Sequence, residues 1–350
     1  MSGEQRQTAA QIIQSYDGPH LRIMEVCGTH THENFRLGVR KLLPPQVDLI
    51  SGPGCPVCVT PVGFIDEAIW LAGHGVTITT FGDLVRVPGT RQNLADVRAN
   101  GGKVQVVYSP LDALAYAKEH ADEQVAFLSV GFETTVPAAC LVADQAVTEG
   151  VGNFSLLTAN KTMPNAYAAL RDSADVFLYP GHVHAIIGTG LCESLAEQGV
   201  SGVLAGFTAK ELVTALAVAV RKAQEGKPFF VNAYPRVVKP EGTPAAVALI
   251  RKVMEPVDTE WRGLGVIPQS GLALREAYQN MDARKKFDMP HIEGKPNPAC
   301  RCGEVLRGVC KPSDCPLFGK ACTPLRPVGA CMVSSEGACS AYYQYGGDLL

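Results

Sequence analysis

The chain has 350 residues, 46% of them hydrophobic and 19% charged, with a formal net charge of −3. That balance, with no Lys/Arg-rich block, removes the electrostatic basis for nucleic-acid binding. No apolar run approaches the about 18 residues of a membrane span; the longest, residues 212–220, is nine long and contains Thr214. Residues 1–18 are polar and lack the apolar core of a signal peptide, so the expected compartment is the cytoplasm.

In chain order, apolar runs predict strands at residues 22–26, 47–51, 76–80, 103–108, 125–130, 154–159, 176–179 and 202–205. Helical patterns fall between them at residues 33–43, 64–73, 111–120, 137–149, 165–171, 191–198 and 210–225. Strands alternating with helices of this length predict an α/β fold with doubly wound parallel sheets. Eight strands suffice for two such units, and the length agrees with more than one domain at about 100–200 residues each. The expected division is a first α/β domain over 1–120, a second over 121–230 and a C-terminal domain over 231–350. After Pro228 the alternation stops, and from Gly294 the chain is rich in Gly, Pro and Cys. Such a segment buries little apolar surface, so a metal centre is expected to hold it together.

Cysteine carries the strongest chemical signal. Of the twelve, five lie in residues 1–299 and seven in the last 51: Cys300, Cys302, Cys310, Cys315, Cys322, Cys331 and Cys339. In a cytoplasmic chain this density indicates metal or redox chemistry rather than disulfides. The tail has no CxxC knuckle of the kind that grips zinc. Well-separated thiols in a Gly/Pro-rich segment suit an iron–sulfur cluster, which takes four Cys. Zinc and unconnected thiols are the rival readings, and spacing alone does not choose four ligands from seven.

Upstream, Ser51-Gly-Pro-Gly-Cys-Pro-Val-Cys-Val-Thr-Pro places Cys55 and Cys58 between a strand and a helix. Backbone N–H groups there favour a thiolate and disulfide exchange, so the pair reads as a redox dithiol or half of a metal site. Met24-Glu-Val-Cys-Gly-Thr-His-Thr-His puts Cys27 at the C-terminal end of the first strand, the edge where doubly wound sheets bind ligands. His30 and His32 follow it, and a thiol beside imidazoles suits a metal ligand or nucleophile. Gly131-Phe-Glu-Thr-Thr and Pro180-Gly-His-Val-His follow other strands at the same edge; Glu133 and Thr134 read equally as site residues or as helix caps, and His182 and His184 equally as facing the same crevice or as structural. Cys140 and Cys192 sit in apolar helical patterns and read as core. Neither GxxxxGK[ST] nor GxGxxG occurs, so no standard nucleotide site is indicated.

Taken together, these motifs closely resemble those of the HypD family of hydrogenase maturation factors. The resemblance rests on Met24-Glu-Val-Cys-Gly-Thr-His-Thr, Gly52-Pro-Gly-Cys-Pro-Val-Cys-Val-Thr-Pro, Gly131-Phe-Glu-Thr-Thr, Pro180-Gly-His-Val, Cys315-Pro-Leu-Phe-Gly-Lys-Ala-Cys and Gly329-Ala-Cys-Met-Val-Ser-Ser-Glu-Gly-Ala-Cys. It implies two α/β domains and a C-terminal domain carrying a 4Fe–4S cluster. Its cluster motif, C-x14-C-x6-C-x16-C, falls on Cys300, Cys315, Cys322 and Cys339. Cys302 and Cys331 are then additional thiols, and Cys310 is incidental. The family's iron-binding cysteine falls on Cys27 and its redox pair on Cys55 and Cys58. His184 stands where a smaller residue is expected.

The implied task is an assembly scaffold with redox activity. It builds the Fe(II) centre, with two cyanides and one carbon monoxide, of nickel–iron hydrogenase, together with a HypC-type chaperone and a HypE-type cyanide donor. In this reading Cys27 holds the iron, the dithiol supplies two electrons, and His30, near enough to favour the Cys27 thiolate, is either a proton donor or a partner that supports Cys27. A cluster-linked disulfide reductase and a zinc-dependent hydrolase using Cys27, His30 and His32 are the alternatives.

Overall fold

The computed structural model describes residues 7–347. Eleven strands are found among them: β1 Leu21–Glu25, β2 Val47–Ser51, β3 Thr77–Thr80, β4 Val104–Val106, β5 Val125–Ser129, β6 Phe154–Thr158, β7 Val176–Pro180, β8 Ser201–Ala205, β9 Phe230–Asn232, β10 Met254–Trp261 and β11 Gly265–Leu274. The eight expected strands are β1 to β8. They form two parallel sheets, one ordered β2-β1-β7-β8-β9 and the other β4-β3-β5-β6, with helices between successive strands. The doubly wound α/β architecture therefore stands. Strand sequences such as Val125–Ser129 and Val176–Pro180 are buried at every position, as sheets covered on both faces require.

The sheets do not divide at residue 120. The first sheet takes β1 and β2 from the start of the chain and β7 to β9 from beyond residue 175, while β3 to β6 form the second sheet as an insertion. Residue 120 lies inside the second sheet, between β4 and β5. The reason is lateral pairing: β1 accepts β2 on one side and β7 on the other, with Met24 opposite both Ile50 and Phe177. This places β1 at the point where the chain reverses direction across the sheet, so a crevice opens beyond its C-terminal end.

Regular structure also continues past Pro228. β9 extends the first sheet, Pro244–Val253 is a helix, and β10 and β11 form an antiparallel hairpin. The outward residues of β10 are polar and its buried ends are Met254 and Trp261. Pro256, Pro268 and Gly271 interrupt the usual strand composition, which hid the hairpin from a pattern-based reading. From residue 294 the chain has only short helical turns until Ala338–Tyr345, which packs on Gly28–Arg36 through Phe35 and Tyr342 at 5.4 Å between ring centroids. Among the described residues no helix is long and apolar enough to cross a membrane.

Candidate metal and redox centre

Four strands of the first sheet deliver the site residues from one edge. Cys27 follows β1, the Cys55/Cys58 loop follows β2, His182 follows β7 and Gly206 follows β8. Glycines make the approach possible. A Cβ on Gly54 would stand 2.2 Å from Cys27 N, and one on Gly28 would stand 2.7 Å from Glu336 Cβ and 3.2 Å from Cys55 Cβ. Only hydrogen at those positions lets the first-strand loop, the CxxC loop and the tail meet.

Cys27 is the N-cap of the Gly28–Arg36 helix. Burial pushes its thiol up to about 12, against a smaller lowering effect of the His30 and Thr29 backbone N–H groups. The expectation that the His30 imidazole favours the thiolate is therefore corrected: the favourable contact comes from the His30 backbone. The ring is fully buried, and Nε2 lies 3.1 Å from Gly206 O. A carbonyl can only accept, so Nε2 carries the proton. Burial pulls the imidazole down to about 4, and Nδ1 is buried without a partner. At neutral pH His30 thus presents a bare nitrogen, an acceptor rather than a proton donor.

His32 turns away and donates from Nδ1 to Ser335 O at 3.0 Å. His182 stacks on Phe207, with ring centroids 3.9 Å apart, in the same region as Glu336, whose charge opposes the effect of burial on it. Glu336 belongs to the tail motif that begins at Gly329. Its Oε1 accepts the Thr29 hydroxyl at 2.7 Å, which fastens the tail beside Cys27. His184 points inward, with Nδ1 2.8 Å from Gly188 O and Cys192 and Tyr167 against its ring. Two residues apart on one turn of the Gly181–Ile187 helix, the two histidines point to opposite sides. Glu133 caps a different helix from the one expected, its Oε1 accepting the Met163 N–H at 2.9 Å.

Cys55 caps the four-residue helix Pro56–Val59, its sulfur accepting the Cys58 N–H at 3.3 Å. Both thiols are buried, and burial raises Cys58. Beyond them lies Cys331, fully buried, in one packed cluster with Cys58, Cys302 and Cys339. Those thiols hold Cys331 well below its ordinary range. Sequence reading left Cys331 without a role; only the fold brings it among these thiols.

Cys300, Cys302, Cys315, Cys322 and Cys339 line one small pocket, with Leu317, Phe318, Gly329 and Met332 as the rest of its wall. All four residues of the expected cluster motif are there, together with Cys302. A Cβ on Gly329 would come within 2.7 Å of both the Cys300 and Cys302 sulfurs. The donors are soft sulfurs in an apolar wall with no oxygen or nitrogen side chain among them, the donor set of an iron–sulfur cluster. Among the described residues no three His, Cys, Asp or Glu side chains are grouped closely enough for a single metal ion.

Comparison with known proteins gives a consistent picture. The family model HypD, described as the Hydrogenase formation hypA family, matches residues 4–346. The hydrogenase maturation factor HypD of Azotobacter vinelandii is 43% identical over 355 residues, covering 97% of this chain and 94% of its own length. That of Rhodobacter capsulatus is 43% identical over 350 residues, covering 97% and 93%. That of Escherichia coli K12 is 42% identical over 347 residues, with the same two coverages.

Proposed function

The chain belongs to the HypD family of hydrogenase maturation factors, and from that premise we propose that it is the scaffold on which an Fe(II) centre carrying two cyanides and one carbon monoxide is assembled. The carrying observation is the juxtaposition of a single thiol, Cys27, with the Cys55/Cys58 dithiol at the switch point of the first sheet. A lone thiol leaves coordination positions open, and a HypC-type chaperone in the cytoplasm would supply a further ligand from outside. A HypE-type donor would bring each cyanide as a thiocyanate-like group.

Each residue has a part in this chemistry. Cys27 is held protonated by burial, so binding iron means surrendering that proton. Helix N–H groups then stabilise the thiolate it leaves. Release of cyanide from a sulfur-bound carrier takes two electrons at the S–C bond. Oxidation of the Cys55/Cys58 dithiol to a disulfide supplies both and frees two protons. Cys300, Cys315, Cys322 and Cys339 would hold a 4Fe–4S cluster, which when bound supplies single electrons. Cys331 would connect that region to the dithiol.

The test is an infrared spectrum of protein purified anaerobically with its small partner. Cyanide and carbon monoxide stretching bands are expected, and Cys27→Ala should lose them while keeping the brown colour of the tail centre. Persistence of the bands in Cys27→Ala would remove Cys27 as the iron ligand.

A further inference from the structure

Cys300 and Cys302 face two spaces. One is the sulfur-lined pocket; the other is a cavity that opens to the surface between residues 88–90, 262–263, 295–298 and 327–328. The only charged residues lining it are Arg262 and Lys295. Arg262 donates from Nε to Thr60 O at 2.8 Å, and its backbone N–H donates to Val59 O at the end of the CxxC helix. Its Nη2 is buried and has no partner. Lys295 is exposed, on a rim that runs exposed through Pro298.

No carboxylate lines the cavity, although Asp66 behind Thr90 keeps its negative charge. Both oxygens of Asp66 are taken by Thr90, at 2.8 Å and 2.5 Å. Glu304 is paired with Arg301. Glu293 is exposed and stands outside the cavity lining. An arginine fork with an unused N–H, a lysine at the rim and two sulfurs in the back wall describe a place that recruits carboxylates toward the centre.

We propose that this cavity is the docking site of an acidic one-electron carrier protein, whose carboxylates meet Lys295 and Arg262 and whose electron is handed over at the Cys300/Cys302 wall. The proposal rests on the reading of the sulfur-lined pocket as a 4Fe–4S site and names the donor for it. The broad exposed rim suits a protein face, with one acidic side chain reaching Arg262 inside. The carrier is oxidised by one electron in each encounter. Two encounters supply the two electrons that, with two protons, return a Cys55–Cys58 disulfide to the dithiol.

Two measurements test this. On cluster-free protein, Cys300 is alkylated with iodoacetate or with neutral iodoacetamide and quantified by mass spectrometry. The cavity should favour the anion, the ratio falling several-fold in Arg262→Gln/Lys295→Gln and surviving in Arg262→Lys. An equal preference in wild type and the double variant overturns the proposal. On cluster-loaded protein, oxidation of reduced plant-type ferredoxin, an acidic carrier, is followed by stopped flow. The rate should rise steeply as salt falls and drop about fivefold or more in the double variant. A loaded centre that takes electrons from ferredoxin indifferently to salt and to the variant overturns the proposal alone, as does salt dependence with dithionite but none with ferredoxin. Failure of the protein to take up iron and sulfide overturns the cluster reading beneath it.

Discussion

Glu25 is wholly buried, and its two oxygens accept Thr31, Asn34, Arg40 and Ser51 side chains, the Arg40 contact being 2.6 Å. It ties β1, the Gly28–Arg36 helix and β2 together two residues before Cys27. Removing one partner of a buried ion pair leaves the other charge uncompensated, so Glu25→Ala should cost about 3–5 kcal/mol. Urea unfolding reads this directly; a loss below about 1 kcal/mol would mean that water reaches Arg40 readily. Glu133 presents the opposite case. Burial pushes its carboxyl up to about 7, and Oε2 has no partner. Its folded value lies above the unfolded one, so its contribution is intact below about pH 4.5, falls as pH rises toward 7, and is level above that. At about 1.4 kcal/mol per unit, the penalty at pH 8 is about 3 kcal/mol. Glu133→Gln keeps an acceptor for the Met163 N–H and removes the charge. Its stability relative to wild type should improve from pH 5 to pH 8; a constant difference would show that Glu133 titrates normally.

At the scale of elements, the CxxC helix is four residues long and Cys55 itself caps it. Redox pair and local structure are thus one object. Mild oxidation should link Cys55 to Cys58, because so short a loop costs little to close. Peptide mapping should find that link, and both thiols alkylatable after oxidation would refute it. Cys55→Ser should retain the cap, since a hydroxyl is a good N-cap, while abolishing the link. The same scale explains what sequence reading found easily. β1 to β8 were legible because each is a short apolar run between turn residues. β10 was not, because it buries only its ends and presents Glu255, Asp258 and Glu260 between them.

At the scale of the molecule, the tail has little core of its own and is fixed from several directions. Glu336 holds Thr29, Ser335 holds His32, Arg86 donates to Pro324 O at 3.0 Å, and Arg22 donates to Gly308 O at 3.1 Å. Four of its thiols, Cys302, Cys322, Cys331 and Cys339, join Met24, Phe132 and Trp261 in one buried cluster with Cys55 and Cys58. A cluster at Cys300, Cys315, Cys322 and Cys339 would cross-link segments that have few other reasons to stay together. Cys315→Ala should therefore bleach the protein and open residues 300–330 to limited proteolysis, while the two sheets keep their circular dichroism. A full complement of iron in that variant would exclude Cys315 as a ligand.

The sequence by itself determined the chemistry on offer: which thiols exist, that Cys27 ends a strand, that Cys55 and Cys58 share a turn, and that seven thiols crowd a tail rich in Gly and Pro. These are local facts, written in spacing and composition. Tertiary structure alone decided the rest. The insertion of β3 to β6 between β2 and β7 put the two sheets in an order that no boundary near residue 120 describes, because strand pairing depends on partners far apart in sequence. Protonation followed the same rule. His30 became an acceptor through a carbonyl 176 residues away, and Cys27 became a high-pKa thiol through burial. Cys331 gained its position among Cys58, Cys302 and Cys339 only when the tail folded over the first sheet. Residue types set what a site can do; burial and long-range contact set which protons and charges it holds.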